Sequence, residues 1–437
     1  MGSICDTLTD FSANGSYATI AKNFELLENK DFAYMIRSTD LEKSNFVDDV
    51  KYVSKHSYQF LSKSKLYGGE ILINKIGSPG RVYLMPKLDI PVTLGMNLFM
   101  IRLKENSEFS SRFIWAYFNT TAGQNIIKRK VSGTVPLTID KEAIRTLYLP
   151  KLGKDFQQLI SNLVSKSENI LKTSKNQYEN GKTKLLSAIG LRKFHFSQNS
   201  VNVKPFSSSF GLSGRLDAEF YQIKYEQLVE RIESTNYDKL SDIVYIEKSI
   251  EPGSKNYSEE GLPFLRVSDY DKFGLSTPDK HLTDEFCKEN AELIKNLKPK
   301  KETILFSKDG SVGTAYMLKE DADFITSGAV LHLTVKNKSK IIPEYLTLAL
   351  NSKLVQMQAE RDAGGSIILH WRVNQIENVV IPLVSFDIQR EITELVKESF
   401  ELKKQSEDLL EVAKTAVEIA IEQSEENAID YINNNTN

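Results

Sequence analysis

Glu70-Ile71-Leu72-Ile73-Asn74-Lys75-Ile76-Gly77-Ser78-Pro79-Gly80 and Thr303-Ile304-Leu305-Phe306-Ser307-Lys308-Asp309-Gly310-Ser311-Val312-Gly313 are one passage written twice, 233 residues apart. In each, a short apolar run with strand-like composition ends in a Lys-x-Gly-Ser-x-Gly turn. The same register carries Gly95 onto Gly328. One residue shorter, at 232, Gly133 falls on Gly365, Pro150 on Pro382, Asp155 on Asp387 and Gln157 on Gln389. These are positions where residue type is physically restricted, glycine by backbone angles and proline by its fixed φ at a helix start. A period this long indicates a duplicated domain and not a solenoid of small repeats. Two similar surfaces on one molecule suggest a two-part ligand.

Each copy runs into a long helical pattern. After Asp155, apolar residues recur at Phe156, Leu159, Ile160, Leu163, Val164, Ile170 and Leu171 and continue to Ile189; after Asp387 they recur from Ile388 to Ala420. With one interior glycine (Gly181) and no proline, both read as helices of about 35 residues, ~50 Å at 1.5 Å per residue. Residues 151–195 carry nine Lys+Arg and three Asp+Glu, whereas residues 385–437 carry five and thirteen. Narrow apolar stripes with complementary flanks suit a paired coiled coil. The plainer alternative is two amphipathic helices, each lying on its own domain. Residues 431–437, rich in asparagine, read as a frayed tail.

The stretch before each long helix reads as mixed α/β. Ile71–Ile73, Leu98–Ile101 and residues 303–306 are strand-like, while 112–128 and 343–361 look helical. Residues 195–215 link the halves, with a loop at 206–211, and a helical pattern at 217–233 leads into the second copy. The boundaries are therefore a first domain at 1–150, a first spacer helix at 151–200, a second domain at 201–384, and a second helix with its tail at 385–437.

The 437 residues suffice for two or three domains. No apolar run approaches the roughly 18 residues of a membrane span, and the N-terminus has no signal-peptide pattern. Cys5 and Cys287 fit reduced thiols in a cytoplasmic protein. Residues 1–200 hold 28 Lys+Arg against 18 Asp+Glu, and the remainder 28 against 40. This excludes a uniformly basic nucleic-acid binder but leaves room for one with a basic half.

Several residues could carry chemistry. Lys75, Ser78 and Arg81, with their twins Lys308, Ser311 and Thr314, lie on turns whose N–H groups and side chains could face phosphate. A plain hairpin turn with a surface lysine is the other reading. Lys128, Arg129 and Lys130 precede Gly133, and Arg361 holds the equivalent place before Gly364-Gly365. They could reach a phosphate or a guanine edge, or simply solvate a helix end. Arg37 and Asp40, matched by Arg266 and Asp269, fit a structural ion pair better than a DNA contact. Five histidines form no metal-ligand spacing, and no nucleophile elbow, dinucleotide fingerprint or Walker motif is present. No Asp/Asn-Pro-Pro-Tyr resembling an amino-methyltransferase site occurs. Glu28-Asn29-Lys30 with Asp10 is a weak nuclease half-signal, since Glu401-Leu402-Lys403 shows how easily the triplet arises. No catalytic or metal-binding residue is therefore expected.

The order of these pieces, strand and Lys-x-Gly-Ser-x-Gly turn, glycine step, then Leu147-Tyr148-Leu149-Pro150 through Gln157 and Val379-Val380-Ile381-Pro382 through Gln389, resembles the specificity subunit of Type I restriction–modification systems over nearly the whole chain. The resemblance implies an α+β fold: two duplicated mixed α/β target-recognition domains separated by long helices that form an antiparallel coiled coil with a pseudo-two-fold. It implies double-stranded DNA as ligand, one domain per half of a split asymmetric site, and no catalysis by this chain. The partners it implies are two methyltransferase subunits, which bind S-adenosylmethionine, and motor-nuclease subunits. The competing reading is a duplicated scaffold that binds protein instead of DNA.

Overall fold

The computed structural model describes residues 1–44, 46, 50–197, 199, 201–365 and 368–436. The chain divides into two units, Met1–Lys172 together with Lys403–Asn437, and Thr173–Leu402.

In the first unit, strand Cys5–Asp10 pairs antiparallel with Leu98–Leu103, which pairs with Ile71–Asn74, which pairs with Val82–Leu84. A second sheet sets Ala33–Ile36 parallel to Val92–Leu94, with Lys51–Val53 and Lys65–Leu66 at its edges. All four residues of Ile71–Asn74 are buried. Side chains alternate along a strand, and here both faces are covered. Ile71 and Ile73 join a core with Phe113, Ile160 and Ala413, while Leu72 joins another with Tyr34, Leu94 and Met100. Two-sided burial is why the sequence shows a continuous apolar run.

The second unit repeats this order with Val244–Lys248, Val330–Val335, Ile304–Ser307 and Ala315–Met317, again antiparallel. Leu262–Leu265 lies parallel to Ile325–Thr326, as Ala33–Ile36 does to Val92–Leu94. The duplication is thus one of topology as well as of sequence. Ile304 and Phe306 face a core with Tyr178, Leu346 and Val396, and Leu305 faces Leu265 and Tyr270. His332 sits opposite Leu305 as Met100 sits opposite Leu72. It is buried, with Nε2 2.9 Å from Thr326 Oγ1, and burial pushes its pKa down to about 4.

The two stretches that read as helical are helical, and each is broken in the same place. Ser111–Phe118 is followed by Thr121–Lys128, and Pro343–Leu350 by Lys353–Asp362. Thr120 and Ser352 cap the second helix of each pair, accepting hydrogen bonds from Gly123 N–H (3.0 Å) and Leu354 N–H (3.3 Å). A Cβ at Gly123 would stand 2.1 Å from the Tyr117 carbonyl oxygen, so the bend there requires glycine.

The first long helix is Lys154–Ala188 and the second Phe386–Glu422; each contributes one end to each unit. In the first unit, Ser167 and Ser406 are buried against each other, and each hydroxyl donates to the other's carbonyl, at 2.9 and 3.0 Å. Nearer the start of the first helix, Gly153 N–H donates to Glu425 Oε1 at 2.7 Å, beyond the end of the second. In the second unit, Ser174 Oγ donates to the Ser399 carbonyl at 2.6 Å, Gln177 Nε2 donates to Glu398 Oε2 at 2.7 Å, and Lys184 pairs with Glu391. Within each unit the helices therefore pair antiparallel. Lys184–Glu391 is a contact of the kind the opposite charges foretold. The serines were not foreseen: a hydroxyl reaches a facing backbone carbonyl only where small side chains let the helices approach closely. Gly181 serves the same end, since a Cβ there would lie 2.9 Å from Leu348 Cδ1.

Three expectations are corrected. Residues 431–435 do not fray: Glu425–Asn435 is a helix, capped by Ser424, with Ala428 and Ile432 buried in the first unit's core. The asparagines conceal that apolar pair spaced by one turn, and Asn437 lies outside the described residues. The pattern at 217–233 is helical only over Ile223–Glu233, because the Arg215–Asp217 ion pair (2.6 Å) and the Tyr221 hydroxyl on the Arg215 carbonyl (2.9 Å) hold the preceding residues in turns. Within the expected loop at 206–211, Phe206–Ser208 and the start of Phe210–Ser213 make short helical turns.

Two predictions arise here. Ser167→Leu overpacks the seam and should cost about 1–3 kcal/mol, against ~1 kcal/mol for Ser167→Ala, read from urea unfolding followed by circular dichroism. For His332, the unfolded state takes up a proton near the ordinary 6.5 and the folded state near 4. Its contribution is whole above pH 6.5 and is lost as pH falls towards 4. His332→Met, which installs the first unit's residue, should flatten that part of the stability–pH curve.

Candidate nucleic-acid interface

In both units the Lys-x-Gly-Ser-x-Gly turn meets the glycine step that follows the helix pair. In the first, Ile76 bridges Thr138, Thr138 bridges Ser132, and Ile139 N–H donates to the Lys75 carbonyl at 3.2 Å. In the second, Asp309 bridges His370, His370 bridges Gly364, and Trp371 N–H donates to the Lys308 carbonyl at 2.7 Å. The glycines that match across the repeat have a steric reason. Gly133 and Gly365 have φ of 97° and 135°, and a Cβ would stand 2.9 Å from the Pro136 oxygen and 2.0 Å from the Ile368 oxygen. Each turn is also braced from the neighbouring helix: Gln124 Nε2 donates to the Gly80 carbonyl (3.4 Å) and Gln356 Nε2 to the Gly313 carbonyl (2.8 Å). Apolar tips stand free on these loops, Val135 being 92% and Ile368 54% exposed.

The fold thus draws Lys75, Ser78 and Arg81 into one neighbourhood with the loop that follows Lys128, Arg129 and Lys130. It does the same for Lys308, Ser311 and Thr314 with the loop that follows Arg361. Their charges differ in availability. Lys75 Nζ lies 2.7 Å from Asp10 Oδ2, Arg81 3.2 Å from Glu42, Lys308 pairs with Asp309, and Arg361 is held by Asp362 at 2.7 Å and lies over the Phe220 ring. Among the described residues, Lys128, Arg129 and Lys130 have no acidic partner, and Lys128 and Arg129 are exposed. Ser78 and Ser311 are exposed; the Thr314 hydroxyl donates to the Ser311 carbonyl at 3.2 Å. Arg37 and Arg266 pair with Asp40 and Asp269 at 2.7 and 3.2 Å, as expected of structural pairs. Glu28 pairs with Lys51, so the weak nuclease half-signal is spent in a surface contact.

The family model for the Type I restriction modification DNA specificity domain matches residues 233–412. Over those residues the chain is similar to that family's domain. The matched stretch takes in the second junction whole, from Lys308 to Trp371. No curated relative matches the chain in sequence. Among solved structures, a Type I restriction-modification S subunit from M. genitalium shares 16% identity at a TM-score of 0.37, covering 95% of this chain and 96% of that one. The HsdS subunit from Thermoanaerobacter tengcongensis shares 13% at 0.30, covering 97% and 95%. Among the described residues no helix is long and apolar enough to cross a membrane, and no three His, Cys, Asp or Glu side chains gather as a metal would need.

Sequence reading gave Asp10 only a weak nuclease half-signal and the histidines no role, and so missed how these residues and Lys248 shape the charge of both junctions. Asp10 accepts from Lys75 and from Lys141, each at 2.7 Å. In the second unit, the strand position that answers to Asp10 is Lys248: Asp10 pairs with Phe99, Lys248 with Leu331, and the two partners are 232 residues apart. His370 Nδ1 lies 2.8 Å from Asp309 Oδ1. The spacing that revealed the glycines could have revealed these as well. What hid them is that the residue types differ between copies.

Burial alone pushes the Asp10 carboxyl up, but hydrogen bonds from Lys141, Lys75 and Ser12 reverse this and bring it to about 2, against an ordinary 3.8. A carboxyl depressed by folding stabilises above its unfolded pKa, and that contribution is lost as pH falls through the folded one. The stability gap between wild type and Asp10→Asn should be constant above about pH 5 and should close between pH 3.8 and 2, measured by urea unfolding at each pH.

Proposed function

We propose that this chain is the DNA-recognition subunit of a Type I restriction–modification complex and is not itself a catalyst. The observation that carries the reading is the glycine-braced junction, built once inside a DNA specificity domain and once more, strand for strand, in the other half of the chain. Each unit would read one half of a split site. Loops at 76–78 and 131–138 would face bases in one half; 309–311, 364–365 and 368–370 would face them in the other. Lysines and arginines beside them would set the register on phosphates. Ile76 against Asp309, and Thr138 against His370, support half-sites of different sequence.

The paired helices, each with an end in both units, would act as the ruler for the gap. Their ~50 Å exceeds one duplex turn of about 34 Å. Two methyltransferase subunits carrying S-adenosylmethionine would dock near these helices and the outer faces of the domains, and motor-nuclease subunits would complete the assembly. The net charge of −2 supports weak DNA binding by the chain alone, with much of the electrostatic affinity supplied by partners.

The test is co-expression with the neighbouring methyltransferase gene and sequencing of methylated adenines. A bipartite motif is expected, with only one half changed when residues 1–150 are exchanged for those of another family member. Absence of methylation, with DNA binding unaltered by the partner, would instead favour a protein-binding scaffold.

A further inference from the structure

The two copies of the junction carry opposite charge at the same places. In the second unit an open cavity of about 430 Å3 is lined by Lys248, Lys308, Asp309 and residues 370–374. Its charged members are three bases (Lys248, Lys308, Arg372) and one acid (Asp309), and among the described residues neither Lys248 nor Arg372 has an ion-pair partner. Trp371, which lines the cavity, is buried with an indole N–H that has no hydrogen-bond partner. The equivalent positions of the first unit are Asp10, Lys75, Ile76 and residues 138–142. There three acids (Asp10, Asp140, Glu142) meet two lysines, and both lysines are spent on Asp10.

The end of the second helix of each pair shows the reverse. In the first unit it is Lys128-Arg129-Lys130, without acidic partners among the described residues. In the second unit it is Glu360-Arg361-Asp362, where Arg361 is neutralised by its neighbour. At these two corners, each position that is cationic and without an acidic partner among the described residues in one copy is acidic or already paired in the other.

We propose that the two units hold the DNA backbone at different corners of one fold: the first through Lys128, Arg129 and Lys130 at the helix end, the second through Lys248 and Arg372 in the cavity lined by Lys308, Asp309 and His370. The ligand chemistry is a backbone phosphodiester, which unpaired ammonium and guanidinium groups recognise without reading sequence. In the second unit the cavity thus sets two cations without acidic partners among the described residues, Lys248 and Arg372, side by side. This inference rests on the DNA-recognition reading above and adds which residues bear the phosphate contacts.

The experiment uses the full chain and a fluorescently labelled mixed-sequence duplex, with anisotropy titrations from low to moderate chloride. The slope of log affinity against log salt counts phosphate contacts, roughly 0.9 for each. Lys248→Ala/Arg372→Ala should make it shallower by about 2, and Lys128→Ala/Arg129→Ala/Lys130→Ala by about 3. Lys414→Ala and Lys338→Ala, which remove cations already paired with Glu411 and Glu302 away from both junctions, should leave it unchanged. Circular dichroism melts confirm that each variant is folded. A duplex-binding wild type whose slope survives either multiple substitution, or falls equally with the paired-cation variants, overturns the proposed corners alone. A wild type that binds no duplex even at low salt overturns the recognition reading itself. Inorganic phosphate replacing chloride at equal ionic strength should not compete; full displacement by it would mark the cavity as a small-anion site and overturn the backbone assignment.

Discussion

Hydroxyl-to-carbonyl hydrogen bonds between two long helices set the closeness on which the rest of the architecture depends. Ser167 with Ser406, and Ser174 with Ser399, are almost fully buried, and a longer side chain at any of the four would push the backbones apart. The serines recur at a spacing of seven on both helices, the period of a coiled-coil seam. A buried hydroxyl must find a partner, so the pairs select one register over its neighbours, where the hydroxyls would be stranded. The apolar residues flanking them, Ile160 and Ala413 in the first unit and Ile392 and Val396 in the second, join the cores onto which the sheets pack. Loss of that register would disturb both cores.

Upon that frame each unit builds the same junction under the same steric rules. A glycine at 133 or 365 is required because a neighbouring carbonyl occupies the space of a Cβ. A glutamine at 124 or 356 closes the turn from the adjacent helix. These residues cannot vary without moving the backbone, whereas Asp10 and Lys248, or Thr138 and His370, can exchange charge with little effect on it. Divergence has therefore gathered in the side chains that surround an unvarying backbone, which is the arrangement expected of a scaffold that keeps its geometry and alters what it recognises.

The charge of each junction follows from pairing more than from composition. The first half of the chain is basic, yet Lys75 and Lys141 are absorbed by one buried carboxylate. The second half is acidic, yet Lys248 and Arg372 remain unpaired among the described residues beside the cavity. Bulk charge counts all ionised groups equally, whereas a phosphate responds to those whose field is not already cancelled within a few ångströms.

By itself the sequence determined that the chain is a duplication, where the strands at 71–74, 98–103 and 304–307 and the long helices lie, and which turns carry glycine. Those features arise from local constraints, periodicity and backbone angles, that leave a mark within a few residues. It also foretold the pairing of the helices, through the opposite charges of their flanks. The tertiary structure alone decided that serines form the seam, that residues 425–435 fold back as a helix whose Glu425 meets Gly153, and that Asp10 disarms Lys75. Each of these joins groups tens or hundreds of residues apart, and a contact between distant residues leaves no periodic trace in either partner's neighbourhood. The candidate cations were legible as residue types, but whether each is free or neutralised depends on a partner that only the fold brings within reach.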